Sequence, residues 1–323
     1  MGKVFKQTNI FYPKWAYKRH INHILYANTF EYVKSVQDWP KRAKGGASQI
    51  TNVIQVFVPT WNNERTIKEC IQALRQTTLN IDIIAVDNFS TDATAEIAAS
   101  LGAKIIKMKA NLGQARTWIC QHALGDWFVM VDSDAMASSR WLERMISFRT
   151  SFDDDKIGAV YCSPIEMPMV NDAKLKKELL LGSKQAEIYH TKVRKNEGRF
   201  GISLCLVRTE AARDFETQGP VLEDVLFGWH LSRSGWNYYS LPVWYYHKPL
   251  LSNENTLRRA RIMGAWMRKI KYTSLLALTF NMFRVYVTSL YGSKTRNVTV
   301  YINLIVGWLT HKRYTHDYKW GQG

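Results

Sequence analysis

The chain is short of cysteine: Cys70, Cys120, Cys162 and Cys205 are the only four in 323 residues, and no two form a Cys-x-x-Cys pair. That spacing excludes a zinc ribbon or a disulfide framework and leads us to expect reduced thiols in a cytosolic compartment. Acid is scarce beside base, with 27 Asp+Glu against 44 Lys+Arg and a formal net charge of +17. The opening stretch MGKVFKQTNIFYPKWAYKRH lacks the apolar run that a secretory signal requires. Aromatic residues, by contrast, make up 13% of the chain and include twelve Trp, which excludes a disordered polymer with too little apolar surface to form a core. At ~150 residues per domain, the length suggests two domains or one large domain with appendages.

The charge is uneven. Residues 1–50 carry a net +7, residues 51–247 a net −1, and residues 248–323 a net +11. A near-neutral centre flanked by basic ends points to an anionic partner. We divide the chain accordingly into a basic, aromatic-rich extension (1–50), a central domain (51–250) and a basic helical region (251–323). KRAKGG (41–46) reads as a linker. In 255–272, Leu257, Ala260, Met263, Met267 and Ile270 recur at three- and four-residue steps, with Arg258, Arg259, Arg261, Arg268 and Lys269 between them. This is a basic amphipathic helix. The apolar runs 273–292 and 298–309 follow; the first is interrupted by Arg284 and the second is too short to span a bilayer. Helices lying in an anionic membrane interface are expected, with packing on the core as the alternative.

The centre alternates strand and helix. VIQVFV (53–58) is a strand that stops at Pro59, and ERTIKECIQALRQT (64–77) a helix. IDIIAVD (81–87), AKIIKM (103–108) and DWFVMVD (126–132) are further strands, separated by helices over 93–102 and 113–124. The pattern predicts an α/β fold with a mostly parallel sheet flanked by helices. Ligands bind beyond the carboxyl ends of such strands, so the chemistry is sought at 60–64, 87–92, 111–116 and 132–134.

Asp132-Ser133-Asp134 follows the fourth strand. Two carboxylates two residues apart on extended backbone share a side and suit a hard cation such as Mg2+ or Mn2+; an ordinary polar turn is the plainer alternative. Glu223-Asp224 opens a helix closed at Gly235, where acids also favour the helix dipole. His247 ends an aromatic strand, YYSLPVWYY; a lone His there is either structural or a metal ligand.

VFVPTWNNERTIKECIQAL, IIAVDNFSTDATAEIA, NLGQARTWICQHALGDWFVMVDSDA and LEDVLFGWHLSRSGW together resemble, in order and over about 53–247, glycosyltransferase family 2, the inverting sugar-nucleotide enzymes of GT-A fold. The resemblance implies a Rossmann-like GT-A domain. In it Pro59, Thr60, Asn62 and Glu64 hold the nucleoside, and Asp87 accepts hydrogen bonds from the base. Asn88 and Phe89 depart from the family's acidic pattern, and Asp92 caps the next helix. Gly113 and Arg116 match the family's diphosphate region, with Thr117 where the family often has Asn; Arg116 either faces the diphosphate or braces the site. Asp134 binds the metal, with Asp132 and Ser133 at the ribose or in the outer sphere. His247 completes the metal site, Glu223 orients the acceptor or the base, and Asp224 is the general base. Gly201 and Ser203 leave room for the sugar, and 165–197 is a loop over the acceptor. Trp229 and Trp236 either stack on a sugar face or, the commoner role of Trp, belong to the core.

The function expected is a metal-dependent inverting hexosyltransferase at the cytosolic face of a membrane. Its donor would be a UDP- or GDP-sugar, its cofactor Mn2+ or Mg2+, and its acceptor lipid-linked or membrane-borne. A nucleotidyltransferase would need a Gly-rich phosphate loop, which PTWNNERT (59–66) is not. A nucleic-acid binder would line a basic groove with aromatics, but here the positive charge accompanies apolar helices.

Overall fold

The computed structural model describes residues 53–151, 153–165, 194–195, 200–247, 253–290 and 295–315. The N-terminal extension, its linker and most of the expected acceptor loop (166–193, 196–199) lie outside the described residues. Among the described residues nine strands form one sheet: β1 Ile54–Thr60, β2 Ile81–Asp87, β3 Lys104–Lys107, β4 Trp127–Val131, β5 Ala135–Ala137, β6 Ile157–Ile165, β7 Arg194–Lys195, β8 Leu204–Arg208 and β9 Asn237–His247. Their order is β3-β2-β1-β4-β8-β6-β9-β5, with β7 added on β9. From β3 to β4 all neighbours are parallel, as the strand–helix alternation predicts. β8 then enters antiparallel beside β4, and β6 and β9 form a second parallel pair.

Side-chain alternation divides the core into two layers. On β1 and β2, Val56, Val58, Ile83 and Ala85 face one cluster with helices α1 (Ile67–Leu74), α2 (Thr94–Ser100) and α4 (Trp141–Ser151). Phe57, Ile84 and Val86 face the other, with α3 (Leu112–His122), α5 (Thr209–Ala212) and α6 (Glu223–Arg233). Period-2 burial on both faces is what a doubly covered sheet demands. All four cysteines are buried free thiols.

Two local expectations change. β1 continues through Pro59 to Thr60, because Pro59 pairs only with β2 (opposite Val86) and lies past Phe57, the last residue matched to β4. A proline without an N–H is tolerated where a ladder has ended. Asp132-Ser133-Asp134 is a turn between β4 and β5, not extended chain: the Ala135 amide donates to the Asp132 carbonyl at 2.9 Å.

Beyond β9 come α7 (Asn253–Lys269), α8 (Leu275–Leu290), α9 (Thr295–Leu309) and the short α10 (His311–Thr315). They share a third core with the loop before α6: Val221 and Leu222 join Ala260, Ile262, Trp266, Met267, Leu278, Tyr301 and Leu304. The apolar face of α7 is therefore covered by protein. α7 and α9 cross at glycines; a Cβ on Gly264 would lie 1.9 Å from the Leu304 carbonyl oxygen, and one on Gly307 1.7 Å from that of Arg261. Among the described residues no helix is long and apolar enough to cross a membrane.

Candidate active site

The carboxyl ends of β1, β2 and β4 open on one edge of the sheet. Asp87 ends β2 opposite Thr60 and is 1% exposed. It accepts from the Ser90 hydroxyl at 2.5 Å and from the Ser90 amide at 3.2 Å. Burial pushes its carboxyl above the usual range, and the Ser90 hydrogen bonds oppose this. Asn62 and Glu64 fasten this loop to its neighbour rather than standing apart from it. The Thr91 amide donates to Asn62 Oδ1 at 2.7 Å, and Glu64 accepts from the Ala93 amide at 3.4 Å. Asp92 accepts from the Thr94 amide at the start of α2 and from the Glu64 amide, both at 3.2 Å. Asn88 ties the end of β2 to the entry of α3 by accepting from the Ala110 amide at 3.1 Å. Phe89 stands 53% exposed on backbone with φ +54°, a region that side chains rarely adopt.

α3 begins with a reciprocal cap: Asn111 accepts from the Gln114 amide, and Gln114 accepts from the Asn111 amide. The same turn grips the segment 217–219. Asn111 donates to the Gln218 carbonyl at 3.0 Å, and Thr117 bonds both the carbonyl and the amide of Thr217. Gly113 is required by this approach, since a Cβ there would sit 2.1 Å from the Gly219 oxygen. Gly201, for its part, makes room for the Tyr161 ring, 2.3 Å from where its Cβ would be.

Arg116, one turn into α3, is 1% exposed and reaches two acids. One guanidinium nitrogen meets Asp132 Oδ1, and the other meets Glu223 Oε1. Ser203 donates to the second Asp132 oxygen, and the Asp132 amide donates to the Ser203 carbonyl at 3.0 Å. A planar fork with donors on two sides suits such a double contact, which a lysine would not reproduce. Arg116 thus joins the end of β4 to the first turn of α6 across 107 residues of chain. Asp224 is the next residue of that turn. Leu222 immediately before it is held at φ +63° and anchored in the third core.

Asp134 is fully buried. Beneath the turn, Cys70 of α1 directs its thiol at the Asp132 carbonyl, 3.8 Å away. Burial, and next the charges of Asp134 and Asp132, push that thiol well above its ordinary range. Thr60 Oγ1 and Ser133 Oγ are buried without a hydrogen-bond partner among the described residues. They are unspent polar groups at two strand ends. The register sets His247 opposite Ala135, the residue after Asp134. Among the described residues no group of three His, Cys, Asp or Glu is assembled to hold a metal ion. Trp229 and Trp236 are half-buried and lie under cations: Arg233 caps Trp229, and Lys156 and Arg208 flank Trp236.

Sequence reasoning singled out the acids and left Arg116 open between facing the diphosphate and bracing the site; it missed the Ser203 contact to Asp132 and the clasp between Thr117 and Thr217. The signal available was a buried-strand acid with an Arg on the following crossover helix, which does not by itself specify the distant Glu223.

Residues 55–212 match glycosyl transferase family 2. An uncharacterised glycosyltransferase of Rickettsia typhi is 30% identical over 114 residues, which is 34% of this chain and 36% of the relative. The 4,4'-diaponeurosporenoate glycosyltransferase of Staphylococcus haemolyticus is 27% identical over 95 residues, covering 27% and 25% of the two chains. The matched part thus spans between a quarter and about a third of the length of these relatives. Among solved structures, the mannosyltransferase PcManGT from Pyrobaculum calidifontis, in complex with GDP-Man and Mn2+, shares the fold with a TM-score of 0.56 at 17% identity. That match covers 85% of this chain and 92% of the mannosyltransferase. By its strand-end motifs and this match, the region 55–212 belongs to glycosyltransferase family 2.

Proposed function

We propose that the protein transfers a sugar from a UDP- or GDP-linked donor to a hydroxyl or phosphate of a lipid-linked or membrane-borne acceptor, with inversion, at a cytosolic membrane face. The observation that carries this reading is the Arg116 bridge, which gathers Asp132 and Glu223 at the edge where the parallel strands end. A donor would lie over Pro59, Thr60 and Asp87 with its diphosphate towards the Asp132–Asp134 turn. The unpartnered Thr60 and Ser133 hydroxyls support that placement.

Asp224 removes the acceptor proton as the acceptor oxygen attacks the anomeric carbon from the face opposite the leaving group. The sugar–phosphate C–O bond breaks, and its electron pair departs with the nucleoside diphosphate. One displacement inverts the anomeric centre. Glu223, clamped by Arg116, keeps the first turn of α6 and so Asp224 in place.

The residues fit a divalent cation: Asp134 is a buried hard-oxygen donor at the turn after β4, and the strand register sets His247 opposite the next residue, Ala135. Mn2+ or Mg2+ held by Asp134, with Asp132 and His247 beside it, would supply positive charge against the departing diphosphate. PcManGT holds GDP-Man with Mn2+, which supports a nucleoside-diphosphate sugar as the ligand of this fold.

The test is calorimetric titration of a panel of sugar nucleotides with and without Mn2+. Binding of at least one donor, strengthened by the metal, is expected. Failure of every donor to bind in its presence overturns the proposal.

A further inference from the structure

Helices α8 and α9 are apolar on two opposite sides. In α8, Leu278 and Met282 point into the third core, while Leu276, Phe280 and Phe283 are 79%, 65% and 63% exposed. α9 repeats the arrangement: Tyr301 and Leu304 are buried, and Ile302, Val306 and Leu309 are 47%, 37% and 53% exposed. Each exposed set has the spacing i, i+4, i+7 and so forms one stripe directed away from the core. A helix that is apolar all round normally lies inside something, and two such stripes on neighbouring helices mark a covered surface.

Charge selects what covers it. Residues 248–323 hold thirteen Lys/Arg against two acids. Lys269 and Lys271 at the end of α7, and Lys312 and Arg313 in α10, are exposed. A second copy of the chain would bring the same positive region against itself. An anionic bilayer satisfies both features, receiving apolar side chains at its acyl boundary and cations at its headgroups. No described helix is long enough to cross.

We propose that the outer faces of α8 and α9 seat on an anionic lipid surface, lying in the interface without spanning it. This identifies the membrane contact behind the acceptor side of the preceding proposal, but it does not depend on sugar transfer.

The test is co-sedimentation of the full chain with vesicles of phosphatidylcholine alone or mixed with phosphatidylglycerol. Wild type is expected to bind the mixed vesicles and to be released by salt. The variant F280S/F283S/L309S, altered only at exposed positions, should partition at least about tenfold less. Its circular dichroism and melting should be unchanged, and its donor titration should equal that of wild type. K312E/R313E should weaken binding to the mixed vesicles alone. Equal partitioning of wild type and F280S/F283S/L309S overturns the proposal. So does a wild-type dimer in light scattering, lost in that variant, without vesicle uptake. Vesicle binding without any donor binding would sustain this proposal and sink only the preceding one.

Discussion

Replacing Arg116 by Met tests whether one guanidinium holds the site together. The side chain is 1% exposed, and its partners Asp132 and Glu223 are 17% and 8% exposed, so neither acid can turn fully to water when the cation is gone. Removing one partner of a buried ionic cluster costs about 3–5 kcal/mol, chiefly because the remaining charges stay buried. With an m-value of about 3 kcal/mol per M, the urea midpoint should fall by about 1–2 M at neutral pH. The penalty belongs to the carboxylates left charged and buried without their cation. It should largely vanish in R116M/D132N/E223Q, where no unpaired charge is left. The assay is equilibrium unfolding followed by circular dichroism. An R116M midpoint equal to that of wild type, or a deficit that persists undiminished in the triple variant, would refute the bridging role.

Asp224→Asn should leave donor binding intact in calorimetry while transfer of labelled sugar falls by about 10²–10⁴-fold; equal loss of both would remove Asp224 from the role of base. Gly113→Ala should lower stability by about 1–3 kcal/mol, because its Cβ meets the Gly219 carbonyl, although alanine ordinarily favours a helix; an unchanged melting temperature would contradict that contact. Burial raises the Asp87 carboxyl in the folded chain, so the fold binds that proton more tightly than the unfolded chain does. The associated stability is present in full below the unfolded value near ~4 and is lost as pH rises through the raised one. Asp87→Asn should therefore gain on wild type in unfolding midpoints as pH rises across that window, and a constant difference would count against the assignment.

The strand–helix alternation was legible because period-2 burial and short apolar runs are local. β2, for example, coincides with IDIIAVD (81–87). The acids at strand ends were legible for the same reason, since the end of a strand is visible in the sequence. The Arg116–Glu223 contact was not, because it depends on how α3 and α6 meet after the sheet has formed. Pro59 showed the opposite error: its local meaning is to stop a strand, but the stagger between β2 and β4 left its missing N–H harmless. The basic amphipathic pattern of α7 correctly predicted an apolar face. It could not tell protein from lipid as the cover, and Gly264 and Gly307, which let α9 approach so closely, carry no hydrophobic signal.

Leu222 belongs to two neighbourhoods at once. Its side chain is wedged among the C-terminal helices, and its left-handed backbone launches the helix that carries Glu223 and Asp224. A leucine does not rest in that conformation unaided, so the helical bundle acts as the brace that keeps the turn cocked. The tail and the acid pair are therefore mechanically inseparable: a displacement of the bundle is felt at the point where proton removal is proposed to occur.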